Sequence, residues 1–223
     1  MASLLLLMGH PPSVHLTPYT VLASQTPEGK KRLSEYYEAL GRFVDMFARA
    51  EAAVTLTLWH YAKTSPEVAK IIFAGTKTDQ GSTYIKQIAA VTGVSEELRG
   101  DLEDVLQQLG IINGARNAIL HYGTEPESVA QGKAMVSDAL RAKGEPTTFP
   151  ISPTLLGEMI SDLQKIIGHL DLRHLGRTKG YSILGDPTFG PWQYKHPSPP
   201  NRRPTKVPDQ RSKRRDPKPP RQP

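Results

Sequence analysis

Apolar residues recur along most of the chain at spacings of three and four, which is the period of an amphipathic helix. Leu33, Tyr36, Tyr37, Leu40, Phe43, Val44, Phe47, Val54 and Leu58 form one stripe and predict a first helix over 28–63. Thr26 and Pro27 before it fit an N-cap followed by a first-turn proline, and Pro66 ends the pattern. Shorter helices are predicted over 66–74 and 82–91. Leu98, Leu102, Val105, Leu109, Ile112 and Ile119 form the next long stripe, opened by Ser95 and stopped by Gly123 and Pro126. Gly110 and Gly114 are expected to weaken or kink it. A last stripe of Leu156, Met159, Ile160, Leu163, Ile167 and Leu170 predicts a helix over 152–175, entered through Ser152-Pro153. Residues 133–151, with Lys143-Gly144 inside them, read as a small hairpin or a plain loop. The pattern as a whole predicts an all-α bundle of four to five helices with short connections.

Two charges break the stripes. At about 100° per residue, Arg116 falls near 0° on a wheel that places Leu98 at zero, in the middle of the apolar face. On a wheel set at Leu33, Glu51 also lands near 0°. Buried charges are paired or neutralised, so the economical expectation is that Glu51 and Arg116 meet. Such a pair is a poor source of net stability. It reads either as a structural ion pair or as part of a working site.

Residues 116–123 read Arg-Asn-Ala-Ile-Leu-His-Tyr-Gly. Asn117 and His121 are four apart and share a helical face. His121 stands at the predicted helix end and carries a ring that can give or take a proton. A fixed cation, an amide and a titratable ring at one helix end suit cleavage of an RNA phosphodiester. The histidine acts as general acid or base, the arginine holds the phosphate, and no metal is required.

This string resembles the R-N-x-x-x-H signature of HEPN domains, small all-α bundles. The long first helix with its mid-stripe acid and the late motif helix agree over about residues 30–175. The resemblance implies a metal-independent endoribonuclease of the kind found in toxin–antitoxin, abortive-infection and RNA-processing systems. It implies a homodimer whose two motif helices form one composite site, and it allows for an antitoxin partner. Arg116 and His121 would then be the catalytic pair, with Asn117 assisting and Glu51 orienting Arg116. Some HEPN domains have lost activity and serve as binding modules, so a non-catalytic module for nucleic acid or protein is the alternative. HEPN toxins inactivated by nucleotidylation carry a tyrosine two residues after the histidine. Here Tyr122 follows His121 directly and Gly123 holds that position, so the regulation does not carry over.

Composition narrows the rest. The 223 residues contain no cysteine, which excludes thiol chemistry and disulfides, and no P-loop, dinucleotide fingerprint or G-x-S-x-G occurs. No cofactor or metal is expected; His169 and His174 are five apart, a poor metal spacing, and His60 is expected to face solvent. His10 and His15 lie in a proline-punctuated N-terminal segment. Leu4–Met8 is too short for a membrane span or signal core, so a cytoplasmic protein is expected.

The net charge of +6 is uneven. Residues 1–176 hold 16 Lys+Arg against 19 Asp+Glu, a sum of −3, whereas 177–223 hold 12 against 3, a sum of +9. Eleven of the 20 prolines also fall between Pro187 and Pro223. This divides the chain into an extension over 1–26, a bundle over 27–176 and a disordered Pro-rich basic tail over 177–223. The tail reads as a phosphate-seeking arm for RNA, DNA or another polyanion, with Arg211, Lys213, Arg214 and Arg215 as its densest cluster, or as a solubilising appendage. Trp192 and Tyr194 read as pins that hold its start to the bundle, in preference to base-stacking rings.

Overall fold

Thr26 opens the first long element by accepting a hydrogen bond from the Gly29 amide (3.0 Å), with Pro27 in the first turn. Helix α1 then runs over Pro27–Ala62 in the computed structural model, which describes residues 22–137, 148–177 and 190–195. It closes at Lys63, a non-glycine residue in the left-handed region (φ 52°). Ser65 caps the short α2, Pro66–Ile72. Helix α3, Thr78–Val91, starts a turn before the apolar period announces it, because its first inward residues are Thr78 and Gly81. Ser95 caps α4, Glu96–Tyr122. A one-turn α5, Pro126–Ala130, follows.

The segment after α5 is a hairpin. β1, Met135–Ser137, pairs antiparallel with β2, Thr148–Pro150, and the facing residues Val136 and Phe149 are both buried. Residues 138–147, with Lys143-Gly144, lie outside the described residues. Ser152 caps α6, Pro153–His169, accepting from the Leu155 amide (3.2 Å), and the helix continues as one π-helical turn over Leu170–His174.

Gly110 and Gly114 do not interrupt α4, which is continuous through both. Neither glycine has a neighbour within 4 Å of where a Cβ would stand, and both are exposed. They weaken only the solvent side of a helix whose other side is packed.

α1 is the spine of the bundle, in contact with α3, α5 and α6, while α4 packs on α3 and α6. α1 and α4 therefore face each other diagonally. Phe43, Phe47, Val54 and Leu58 meet Leu102, Val105, Leu109 and Ile112 from α4 and Leu156, Met159 and Leu163 from α6 in one buried core. Burying each such side chain contributes about 1.5–3 kcal/mol. No helix among the described residues is long and apolar enough to cross a membrane.

Two polar clusters tie the core to its edges. Asp162 on α6 is fully buried, and its carboxylate accepts from the Gln193 amide (2.9 and 3.0 Å), the Tyr194 amide (2.8 Å) and Gln108 Nε2 (2.9 Å). Gln108 Nε2 also donates to the Tyr194 carbonyl (2.9 Å), and Lys165 Nζ donates to the Pro191 carbonyl (2.6 Å). Trp192 Nε1 donates to Asp104 (3.1 Å). Tyr194 is buried, and burial pushes its phenol up to about 12. Residues 190–195 thus form a strap across α4 and α6. Trp192 and Tyr194 are the expected pins, and the packed unit extends past residue 176, where the pattern ends it. Residues 196–223, including Arg211, Lys213, Arg214 and Arg215, lie outside the described residues, as do 1–21 with His10 and His15.

The second cluster sits where α6 ends. Asp101 accepts from His174 Nε2 (2.8 Å), pairs with His169 Nδ1 (3.0 Å) and with Arg173, and Tyr61 OH lies 3.0 Å from His174 Nδ1. Burial opposes the Asp101 charge, but the His174 hydrogen bond and the charges of His169 and Arg173 outweigh it and hold its carboxyl below the usual range. Burial of the His174 ring outweighs the pull of Asp101 and holds its pKa down, so the ring is neutral, donating from Nε2 and accepting the Tyr61 proton at Nδ1.

Asp162→Ala is expected to destabilise the protein by about 3–5 kcal/mol, because it removes the shared acceptor of the Gln193 and Tyr194 amides and Gln108 Nε2 and the anion nearest Lys165. Urea unfolding followed by tryptophan fluorescence measures this, and a loss below about 1 kcal/mol contradicts the role given to Asp162. A neutral His174 resists protonation that the unfolded chain accepts near about pH 6.5. Its contribution is complete above that pH and is lost as pH falls toward its lower folded value; Asp101 adds a further loss only in the acid carboxylate range. Tm should therefore drop between about pH 7.5 and about pH 5, and His174→Gln should flatten that slope.

Candidate functional site

The last two turns of α4 carry the site residues. Gly123, at φ 64°, takes the helix out of register, and its amide bonds to the Ile119 carbonyl (2.9 Å). α4 therefore ends one residue beyond His121, whose side chain is exposed in the final turn. One turn earlier the Arg116 guanidinium lies over the Phe47 ring of α1, 5.2 Å from its centroid, and Nη1 donates to Asn117 Oδ1 (2.9 Å). The ring face attracts the cation and supports its apolar side.

The ion pair expected between Glu51 and Arg116 is not formed. No contact within 4.0 Å joins them, and both are only partly buried. Their helices are diagonal partners, so the stripe centres point at a space that α3 only partly fills. Each charge finds a nearer partner. Glu51 Oε1 accepts from Thr78 Oγ1 (2.6 Å) at the start of α3, and Arg116 takes Phe47 and Asn117.

The space between them is an open cavity of about 410 Å³. Glu51, Arg116, Asn117 and His121 all line it, so the structure brings together the four residues singled out in the helical core. It also adds Lys77, Thr78, Asp79 and Asn113. Asp79 Oδ1 accepts from Asn113 Nδ2 (2.7 Å). Each acid in the cavity thus takes one neutral donor, and among the described residues no carboxylate pairs with Arg116. The remaining guanidinium donors are available to an anion, and a fork of this geometry matches a phosphate.

Sequence reasoning missed Phe47, Lys77, Thr78, Asp79 and Asn113 as site residues. Asn113 carries a signal, being a polar residue on the inner face three positions before Arg116. Lys77-Thr78-Asp79 carry none, because the apolar period begins after them. His60 is exposed, and His169 and His174 bind Asp101. Among the described residues no group of three or more His, Cys, Asp or Glu is arranged to hold a metal ion. Comparison of the chain with family models, with curated proteins and with solved structures finds no match.

Proposed function

We propose that the protein is a metal-independent endoribonuclease of the HEPN type, acting on RNA phosphodiesters through Arg116 and His121. The observation that carries this reading is an arginine with no carboxylate partner and an exposed histidine lining one open cavity. In this reading Arg116 holds the scissile phosphate and stabilises the charge that builds on its oxygens. His121 takes the 2′-hydroxyl proton as that oxygen attacks phosphorus, and the 5′-oxygen leaves with a proton from an imidazole. Asn117 fixes the guanidinium, and the Phe47 ring keeps it aimed at the cavity. Glu51 acts on Arg116 through the shared cavity only. The tether on which a purely structural reading of the two charges depends is missing.

A homodimer fits the exposed face of α4. Gly110, Gly114, Asn117 and His121 lie within about 60° of one another on that face. The two glycines carry no side chain and have open space above them, so a second backbone can approach closely beside His121. A partner that covers this face, such as an antitoxin protein, would close the cavity. We read the basic cluster of Arg211, Lys213, Arg214 and Arg215 as the electrostatic arm that concentrates RNA on a bundle of slight negative charge, in the cytoplasm.

His121→Ala and Arg116→Ala should each lower RNA cleavage by about 10²–10⁴-fold, while EDTA leaves it unchanged. Gel assays on total cellular RNA, with overexpression toxicity beside them, check this; an inert wild type defeats the reading. Gly114→Arg faces solvent and should leave the helical circular dichroism of the fold unaltered, yet convert a dimer to a monomer in sedimentation and reduce cleavage.

A further inference from the structure

A second, smaller chamber of about 190 Å³ lies behind the candidate site, and nothing in the proposed chemistry uses it. It shares Glu51, Lys77 and Thr78 with the larger cavity, so the Glu51 carboxylate stands on the boundary between the two. Its inner wall is apolar, made by Val54, Leu58 and Phe73. Its floor is open because residue 81 is glycine. A Cβ there would stand 3.4 Å from Val54 Cγ1 and 3.7 Å from Thr76 Cγ2, and any longer side chain would fill the chamber. Thr55, Thr76, Lys77 and Thr78 join Glu51 on the polar side. A recess with an aromatic wall and a few convergent polar groups is the usual form of a ring-binding site.

The carboxylate among these groups is the one with an open acceptor. Glu51 Oε1 is held by Thr78 Oγ1, and among the described residues no donor meets Oε2. A carboxylate offers acceptors only, so it takes an edge made of donors. Among the four RNA bases, guanine alone presents two adjacent donors, N1–H and the N2 amino group, on its pairing edge. Protein recognition of single-stranded RNA takes this form, with an unstacked base against an aromatic ring and its pairing edge on a polar side chain. The geometry points to a guanine subsite: the base enters the chamber against Phe73, its N1–H and N2 amino group face Glu51, and its phosphate lies toward Arg116. This inference rests on the reading of Arg116 as a phosphate-binding residue. It makes Glu51 a specificity-determining residue rather than a structural counter-ion.

Titration calorimetry of the full chain with guanosine, adenosine, cytidine and uridine 5′-monophosphates tests it. The guanine nucleotide should bind about tenfold or more tightly than the other three. Gly81→Leu fills the chamber and Glu51→Gln replaces an acceptor by an amide donor; each should erase that preference. Arg116→Ala should weaken all four nucleotides together. Circular dichroism establishes folding, and if Gly81→Leu does not fold, Glu51→Gln decides alone. Equal affinity for the four nucleotides, or an unchanged preference in a folded variant, overturns the subsite. Guanine preference without RNA cleavage would retain the subsite and defeat the ribonuclease reading; cleavage without preference would do the reverse.

Discussion

A carboxylate with no solvent exposure sits in the middle of α6, and satisfying it governs how the bundle is assembled. Asp162 has no cation at hydrogen-bonding distance; Lys165 stands 4.0 Å away and spends its ammonium on backbone carbonyls. The charge is carried instead by two backbone amides and one side-chain amide. Those donors come from two places, the strap at 190–195 and Gln108 on α4. Stripping a carboxylate of water costs several kcal/mol unless such donors replace it. The arrangement is therefore all or nothing: α4, α6 and the strap share one register, or a charge is left bare in the core. The distal turns of α4, with Arg116 and His121, inherit their position from that register.

The same fold treats the charges at its other end differently. Asp162 is saturated by donors, while Arg116, which has only donors to offer, is left short of acceptors. Phe47 and Asn117 hold the guanidinium without neutralising it, and Thr78 and Asn113 occupy the acids that could have done so. A partly buried cation that neighbours orient but do not compensate has an unmet electrostatic demand. That demand is what separates a ligand-ready position from a stability device.

Much of this was legible in the order of residues. Stripes of period 3.6, opened by Thr26, Ser95 and Ser152, locate the three long helices, because caps and apolar faces are local properties. The anomalous placement of Glu51 and Arg116 points to one shared cavity, though not through the ion pair that the wheels suggest. The wheels establish that both side chains face inward, but they contain nothing about which helices are neighbours, and a diagonal relation keeps the two charges apart. Asp162 was illegible for a related reason. It lies on the flank of its own apolar stripe, where a carboxylate normally meets water. What covers that flank arrives some thirty residues later, in six residues with no period at all. Asp101 was missed because its partners, His169 and Arg173 on the far helix, are joined to it only by the closing of the bundle.

The strap also determines how force would enter the molecule. A load applied to the chain beyond Lys195 does not reach the bundle through the end of a helix, where turns unwind one at a time. It arrives broadside at Asp162, where the amides of Gln193 and Tyr194 pull on a single buried carboxylate while Trp192 grips Asp104. Bonds loaded together in this way resist as a group and release as a group.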